Sequence, residues 1–432
     1  MRLLLCALFL AFQGTGTWDG STNGLRTPDP KAPGNFATVP DNYTYSIDLS
    51  TLWTNSSVTL KEISKGAAPV LNNVALWLDA SGEIFYAYDG SVSKALPTFY
   101  DTPPPANALW QFEPSGGTGH WSQTPIPLSS NFAALSRTAL GNSASGNGLG
   151  FVLGGVENYA TYQYPAFADA LWWDQTLVPG LVTFNSTSQE WFNSSSKGYS
   201  YYGFARDGVA HFVPSFGPAG LLFVFGGYTT TTSQLASTGI ASMYDPTTQQ
   251  WQDQITTGDI PGESANGCIV GAEGDNGTYE IFLYGGQVPG DAASTITNGE
   301  VYVLSLPSFN WQKQYATGTT GRYMMSCNVV GKRQMVVVGG IVIPQNVDWD
   351  TYNFGAGEPD PWDQAIGIFD LTEMAWKSSY DASASPYITP DAVKSFYTQH
   401  GRYPAQWDSG VVEDWFKNPG KSYRLLSKAC LS

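Results

Sequence analysis

Positive charge is scarce in this 432-residue chain: 20 Lys and Arg stand against 36 Asp and Glu, a formal net charge of −16. A surface of that sign repels polyanions, which excludes nucleic acid and acidic membrane faces as partners. Cysteine is rare, four residues, and histidine rarer, three. So few cysteines exclude a disulfide-dense scaffold and leave stability to a hydrophobic core. Long apolar runs are lacking beyond the N-terminus, so no second stretch approaches membrane-spanning length. The chain has no Gly-x-Ser-x-Gly elbow, His-Glu-x-x-His pair, phosphate-binding Gly-rich loop or Cys-x-x-Cys pair.

What the chain does have is 47 Gly, 15 Trp, 24 Tyr and 22 Phe, a mixture that suits short strands and tight turns. An all-β architecture is expected, and the length suits one large domain of that class. Met1-Arg2, an apolar run from Leu3 to Phe12 and small residues through Gly14, Gly16 and Thr17 form a secretory leader over residues 1–17, with cleavage between Gly14 and Trp18. A buried strand is the competing reading of that run. Five sequons, at Asn42, Asn55, Asn185, Asn193 and Asn276, agree with export and N-glycosylation. The expected location is secreted or at the extracellular cell surface. Cys6 leaves with the leader, and Cys268, Cys327 and Cys430 remain, enough for one disulfide or none.

A repeat organises the rest. Four apolar runs end in a glycine pair: GLGFVLGG (Gly154, Gly155), LLFVFGG (Gly226, Gly227), EIFLYGG (Gly285, Gly286) and QMVVVGG (Gly339, Gly340). A fifth, EIFYAYDG, carries Asp89-Gly90 instead. After each come a second apolar run, a polar turn and a tryptophan: Trp121, Trp191, Trp251, Trp311 and Trp376, spaced by 70, 60, 60 and 65 residues. An apolar run of this length reads as a strand buried on both faces, and a glycine pair at its end permits an approach that a Cβ would block. That period matches one four-stranded sheet with loops, repeated radially.

These residues resemble the kelch repeat, from about Tyr43 to Lys377, within the superfamily that includes galactose oxidase. They are similar to the secreted or membrane-anchored kelch proteins common in fungi. The resemblance implies an all-β, kelch-type β-propeller of about six blades, over residues 43–380. Residues 18–42 are expected to be irregular, and 381–432 a tail that is helical or irregular. YSIDLSTLW, ending at Trp53, matches only the outer half of a repeat. The first blade is therefore expected to be incomplete. That gap, together with the abrupt end at Ser432, points to a shortened chain.

Two Cys, Cys268 and Cys327, fall in equivalent places of consecutive repeats. They read as a disulfide or metal pair, or as two small buried hydrophobes, and the second reading is preferred because blades usually stand beyond disulfide reach. Copper-radical chemistry of the galactose oxidase kind would need two His ligands, but His120, His211 and His400 lie in separate segments. Neither a metal nor another cofactor is expected, and no catalytic residue is singled out. A carbohydrate-active enzyme, a glycosidase or less readily a copper oxidase, is the alternative, since two of the 36 acids would suffice for a glycosidase.

Binding residues are sought where loops lengthen on the fixed scaffold. Gly-Gly to Trp spans 24 and 25 residues in two repeats but 36 after Gly155 and after Gly340. The first long loop, 156–180, carries Tyr159, Tyr162, Tyr164, Trp172 and Trp173; the second, 341–364, carries Trp349, Tyr352, Glu358 and Asp360. Aromatic faces beside carboxylates suit sugar rings, or they cover blade ends. Arg137, Arg206 and Arg322 recur before the first strand of their repeats. They could grip acidic side chains of a protein ligand or pair within the ring, the latter being favoured. The expected function is recognition of a protein or glycan at the cell surface or wall.

Overall fold

In the computed structural model, the described residues are 7–10, 26–28, 36–38, 42–92, 103–125, 131–161, 175–199, 203–229, 234–287, 299–314, 321–342 and 360–420. Each repeat folds into one antiparallel four-stranded blade. The first blade has strands Ala75–Leu78, Phe85–Tyr88, Trp110–Ser115 and Thr118–Gln123, and the second Asn142–Gly146, Leu149–Leu153, Leu181–Asn185 and Glu190–Ser194. The third has Val209–Val213, Leu221–Phe225, Ile240–Asp245 and Gln250–Ile255. The fourth has Cys268–Glu273, Tyr279–Tyr284, Val301–Leu306 and Asn310–Gln314, with Thr257–Gly258 added outside them in parallel. The fifth has Arg322–Val330, Gln334–Val342, Ile366–Asp370 and Ala375–Lys377. This is the kelch-type propeller architecture, five complete blades and part of a sixth.

The tryptophans hold one register. Trp121, Trp191, Trp251, Trp311 and Trp376 lie on the outermost strand of each blade, opposite Phe112, Phe184, Tyr244, Leu304 and Phe369 of the third strand. Four of the five pairs are aromatic, with ring centroids 4.7 to 5.2 Å apart. Contacts of that kind add about 0.5–1.5 kcal/mol each beyond area burial.

The glycine pairs join blade to blade. Gly155 N donates to Ala205 O, Gly227 N to Ser264 O and Gly286 N to Arg322 O, at 2.8 to 3.0 Å. The acceptors Ala205 and Ser264 lie just before the next blade's first strand, and Arg322 opens it. At Gly154 φ is +70°, and a Cβ there would stand 2.2 Å from Ala205 O. Glycine is thus required twice over, by conformation and by space. In the first blade, Gly90 N donates to Thr138 O, and Asp89, at φ +67°, replaces the first glycine.

The sixth blade is incomplete. Tyr43–Asp48 pairs with Lys61–Ser64 on one edge and with Ala7–Leu10 on the other. The N-terminal apolar run thus contributes a strand beside Tyr43–Asp48; cleavage between Gly14 and Trp18 would release it. No innermost strand completes this sheet among the described residues. Even so, the half-blade bridges its neighbours. Tyr45 and Ile47 pack with Val338, Ile366 and Ile368 of the fifth blade. Trp121 Nε1 donates to Thr44 Oγ1 at 2.8 Å, and Ser46 Oγ to Gly117 O at 2.9 Å, toward the first blade. Trp53 does not match the other tryptophans: it lies in Trp53–Thr54, which pairs with Ser379–Tyr380, and it stacks on Tyr380 at 4.9 Å. Arg26–Pro28 and Phe36–Thr38 form a short hairpin in the segment expected to be irregular.

The tail caps the face opposite the glycine pairs. Two helices form, α1 (Asp391–His400) and α2 (Gly410–Lys417), the latter capped by Ser409, whose Oγ accepts from Val412 N at 3.1 Å. Val412, Trp415 and Phe416 of α2 are buried against Phe216 and Phe309, in turns of the third and fourth blades. Upstream of α1, Tyr387 Oη donates to the buried Glu280 carboxylate at 2.9 Å.

The half-blade sets up a contrast between two glycines of identical role. A Cβ on Gly339, φ +69°, would meet nothing within 4 Å among the described residues. Gly339→Ala should cost only the left-handed conformation, about 1 kcal/mol. Gly154→Ala adds a backbone clash and should cost about 3 kcal/mol in total. Chemical denaturation of the two variants checks the order.

Candidate functional site

The first strands line a central channel of about 150 Å³, bordered by Asn73, Ser143, Asp207, Asn266, Ile269 and Ser326 among others. At its rim the five blades repeat one backbone feature. Asn73, Leu140, Asp207 and Asn266, each ahead of its blade's first strand, and Met324, near the start of the fifth blade's first strand, have φ between +55° and +64°. Such conformations persist only where surroundings fix them. Here the fixing agent is a chain of hydrogen bonds around the rim: Asp207 N to Leu140 O, Asn266 N to Asp207 O and Met324 N to Asn266 O, at 2.6 to 2.8 Å.

Cys268 and Cys327 are disulfide-bonded across the channel wall, with Cα atoms 5.8 Å apart. The expectation of two separate buried thiols is thereby corrected. Blades diverge outward from the axis, and it is only at the innermost strands that neighbouring backbones come within bridging distance.

Antiparallel blades send alternate connections to opposite ends of the ring. The second-to-third connections and the blade-to-blade connections emerge together, so both long loops and all three recurrent arginines belong to one face. Two of the arginines are engaged there. Arg322, wholly buried, makes a bidentate pair with Asp360 at 2.6 and 2.9 Å and lies 4.0 Å over Trp362. Arg206 pairs with Asp207 at 2.5 Å and covers Tyr228 at 4.2 Å. Asp360 is therefore an anchor for Arg322, not an open sugar contact. Trp362 lies in the turn ahead of Ile366–Asp370 and fills the space over Gly367.

Arg137 differs. It is 3% exposed, its Nη2 donates to Ala106 O at 2.7 Å, and its Nε and Nη1 have no hydrogen-bond partner. It borders a cavity of about 40 Å³ between the first blade and the segment that follows the half-blade, together with Asp89, Trp110, Trp121, Lys65 and Pro69. That volume exceeds the roughly 10–15 Å³ needed for one water and suits a single small polar group. Asp89 lies in the same wall, its carboxylate accepting from Thr138 N and, at 2.5 Å, from Thr138 Oγ1. Burial pushes Asp89 up to about 7, against these two donors and the nearby Arg137. A buried guanidinium with two open donors beside an acid that titrates near neutrality can hold an anion, and holds it best when Asp89 is protonated.

The remaining sequence candidates are scattered. Tyr159 is half-buried in the turn after the first glycine pair, Gly154 and Gly155. Tyr162, Tyr164, Trp172, Trp173, Trp349, Tyr352 and Glu358 lie outside the described residues, as does Cys430. His211 is half-buried, bonds Tyr279 Oη at 2.8 Å and is pushed down to about 4 by desolvation. His120 is on the outer strand of the first blade, 3.9 Å from Glu113, and His400 ends α1. Among the described residues no three His, Cys, Asp or Glu gather as a metal site. Asn42, Asn193 and Asn276 are exposed and Asn55 and Asn185 half-buried. The sequence singled out Arg137 together with Arg206 and Arg322 but not the Asp89 that accompanies it, for which the Asp in place of a glycine was the one visible signal.

Repeat register, glycine joints and blade topology define a kelch-type β-propeller. The chain is similar to a kelch repeat-containing protein of Arthroderma benhamiae, 25% identical over 389 residues that cover 83% of this chain and 54% of the relative. It thus spans about half the length of the relative it matches. No protein-family model matches it. The fold and this relative make the chain similar to the kelch-repeat proteins of fungi.

Two stability measurements follow. Reducing the disulfide, or Cys268→Ser, should cost roughly 2–4 kcal/mol, since it frees a long loop of the unfolded chain. Asp89 is pushed up to about 7 and Asp207 to about 6, both chiefly by burial. A folded value above the unfolded one of about 3.9 means that the folded state holds its proton more tightly. Their contribution is complete at acid pH and is lost as pH rises through about 6 to 7. Melting temperature should fall between about pH 4 and 7, and Asp89→Asn should flatten that fall.

Proposed function

We propose that this chain is a secreted or cell-surface binding module that recognises a protein or glycan ligand through a carboxylate seated against Arg137, without catalysis. The observation that carries this reading is the contrast among three equivalent arginines: Arg206 and Arg322 have carboxylate partners, whereas Arg137 keeps Nε and Nη1 open in a cavity. Half-exposed Lys65, Pro69, Trp110 and Trp121 form its mouth. An acidic side chain or a uronic acid would supply both missing acceptors, and the two indoles would flank it. The aromatic loops 156–180 and 341–364, rooted on the same face, would extend the contact.

Export is supported by the composition of the first 17 residues, by the exposed sequons and by the disulfide, which belongs in an oxidising compartment.

Titration with a tetraglutamate peptide and with trigalacturonate tests the reading. At least one should bind, with affinity falling as pH rises through about 7, where Asp89 ionises. Arg137→Met, which keeps the volume and removes the donors, should weaken binding at least tenfold. Equal affinity in this variant, failure of both ligands to bind, or turnover of glycosides would contradict the proposal.

A further inference from the structure

The third blade carries an open notch on its face toward the second blade. Register puts Val224, Ser242 and Asp253 side by side across three strands, with Ile240 opposite Ile255 one step nearer the loop face. Directly paired residues and those two apart share one face of a sheet, so all five side chains enter the same space. Val224, Ile240, Ser242 and Asp253, with Tyr199 and loop residues 234–237, border a cavity of about 180 Å³ there. Ile240 and Ile255 are 39% and 59% exposed, so the notch opens to solvent. Asp253 is exposed too, and its Oδ1 accepts from Ser242 Oγ at 2.7 Å. Burial holds its carboxyl above the ordinary range, against the Ser242 bond and with the help of the like charge on Asp408. Among the described residues no cation offsets it. Tyr199, 1% exposed, packs 5.3 Å from Trp251, two residues before Asp253 on the same face. Its Oη has no hydrogen-bond partner, and burial together with the Asp253 charge raises its pKa.

The fourth blade shows what completes such a notch. At the matching register positions Lys313 replaces Asp253, Tyr302 replaces Ser242 and Glu300 replaces Ile240. The Lys313 ammonium pairs with Glu300 at 2.5 Å and lies 5.7 Å over the Tyr302 ring. Both charges are internal there, whereas the third blade supplies the carboxylate and an aromatic hydroxyl without the cation. The occupant must then bring N–H donors and positive charge at its tip, and an apolar stem to lie beside Val224, Ile240 and Ile255. A lysine side chain has that anatomy. An acid is repelled by Asp253 and Asp408, and a wholly apolar side chain leaves the carboxylate unmet. The volume is below the usual range of about 300–1,000 Å³ for small-molecule sites, which favours one side chain over a free ligand. The chain's net charge of −16 draws basic partners to it.

We propose that this notch receives a lysine side chain of a protein partner, at a site separate from the Arg137 cavity. The test is titration of the full chain, with ring-labelled tyrosines, against the peptide acetyl-Gly-Lys-Gly-amide and its norleucine analogue. The lysine peptide should shift the Tyr199 ring signal saturably at millimolar concentration and bind at least fivefold more tightly than the norleucine peptide, a comparison that needs no variant. Asp253→Asn, a change at an exposed side chain, should weaken the lysine peptide at least fivefold with the melting temperature retained, while Arg137→Met leaves its affinity unchanged. Absence of a saturable shift, equal affinity for the two peptides, or full affinity in Asp253→Asn would overturn the proposal. Because the Arg137 reading is tested with acids and this one with a base, either fails without the other.

Discussion

One hydrogen bond, repeated, holds the ring in shape: the N–H of the second residue of each glycine pair donates to the carbonyl just ahead of the next blade. It is made at Gly90, Gly155, Gly227 and Gly286. Each bond needs two consecutive residues in left-handed conformations and a backbone approach closer than a side chain permits. The conformation turns the chain away from the second strand, and the approach sets the spacing of adjacent blades. That spacing brings the inner strands close enough for the rim bonds from Leu140 to Met324 and for the Cys268–Cys327 bridge. Outward, the same geometry opens wedges between blades that only large side chains fill, hence the outer-strand tryptophans.

The two departures from this rule are where chemistry collects. In the first blade Asp89 occupies the glycine position and turns a backbone contact into a carboxylate contact with Thr138. Burial keeps its proton into the neutral range. On the far side of the half-blade, Gly339 faces open space among the described residues. The cavity beside Arg137 lies between the first blade and the segment that follows the half-blade.

Much of this was legible in the sequence. The diglycine and tryptophan register located five blades, because both motifs answer to local requirements that a sequence displays directly. Absence of a glycine pair before Tyr45 announced the half-blade, and the helical reading of Asp391 onward matches α1. What stayed hidden depends on distances around the ring. Cys268 and Cys327 are 59 residues apart, and nothing in that separation reveals that their strands converge at the axis. The arginines look equivalent in sequence, yet Arg322 finds Asp360 from its own long loop while Arg137 finds no acid bonded to it. Trp53 mimics the repeat and packs elsewhere because the segment after it returns to Tyr380. The run Leu3 to Phe12 carries both the composition of a leader and the apolar character of a strand, and Ala7–Leu10 pairs with Tyr43–Asp48.

Amide-resolved hydrogen exchange tests the joint most directly. If these bonds constrain the ring, the N–H groups of Gly155, Gly227 and Gly286 will exchange together, and only through global unfolding, at the rate of the slowest core amides such as Phe223 and Phe282. Exchange of the three at separate, faster rates through local openings would contradict the account and would mean that the blades are held by side-chain packing alone.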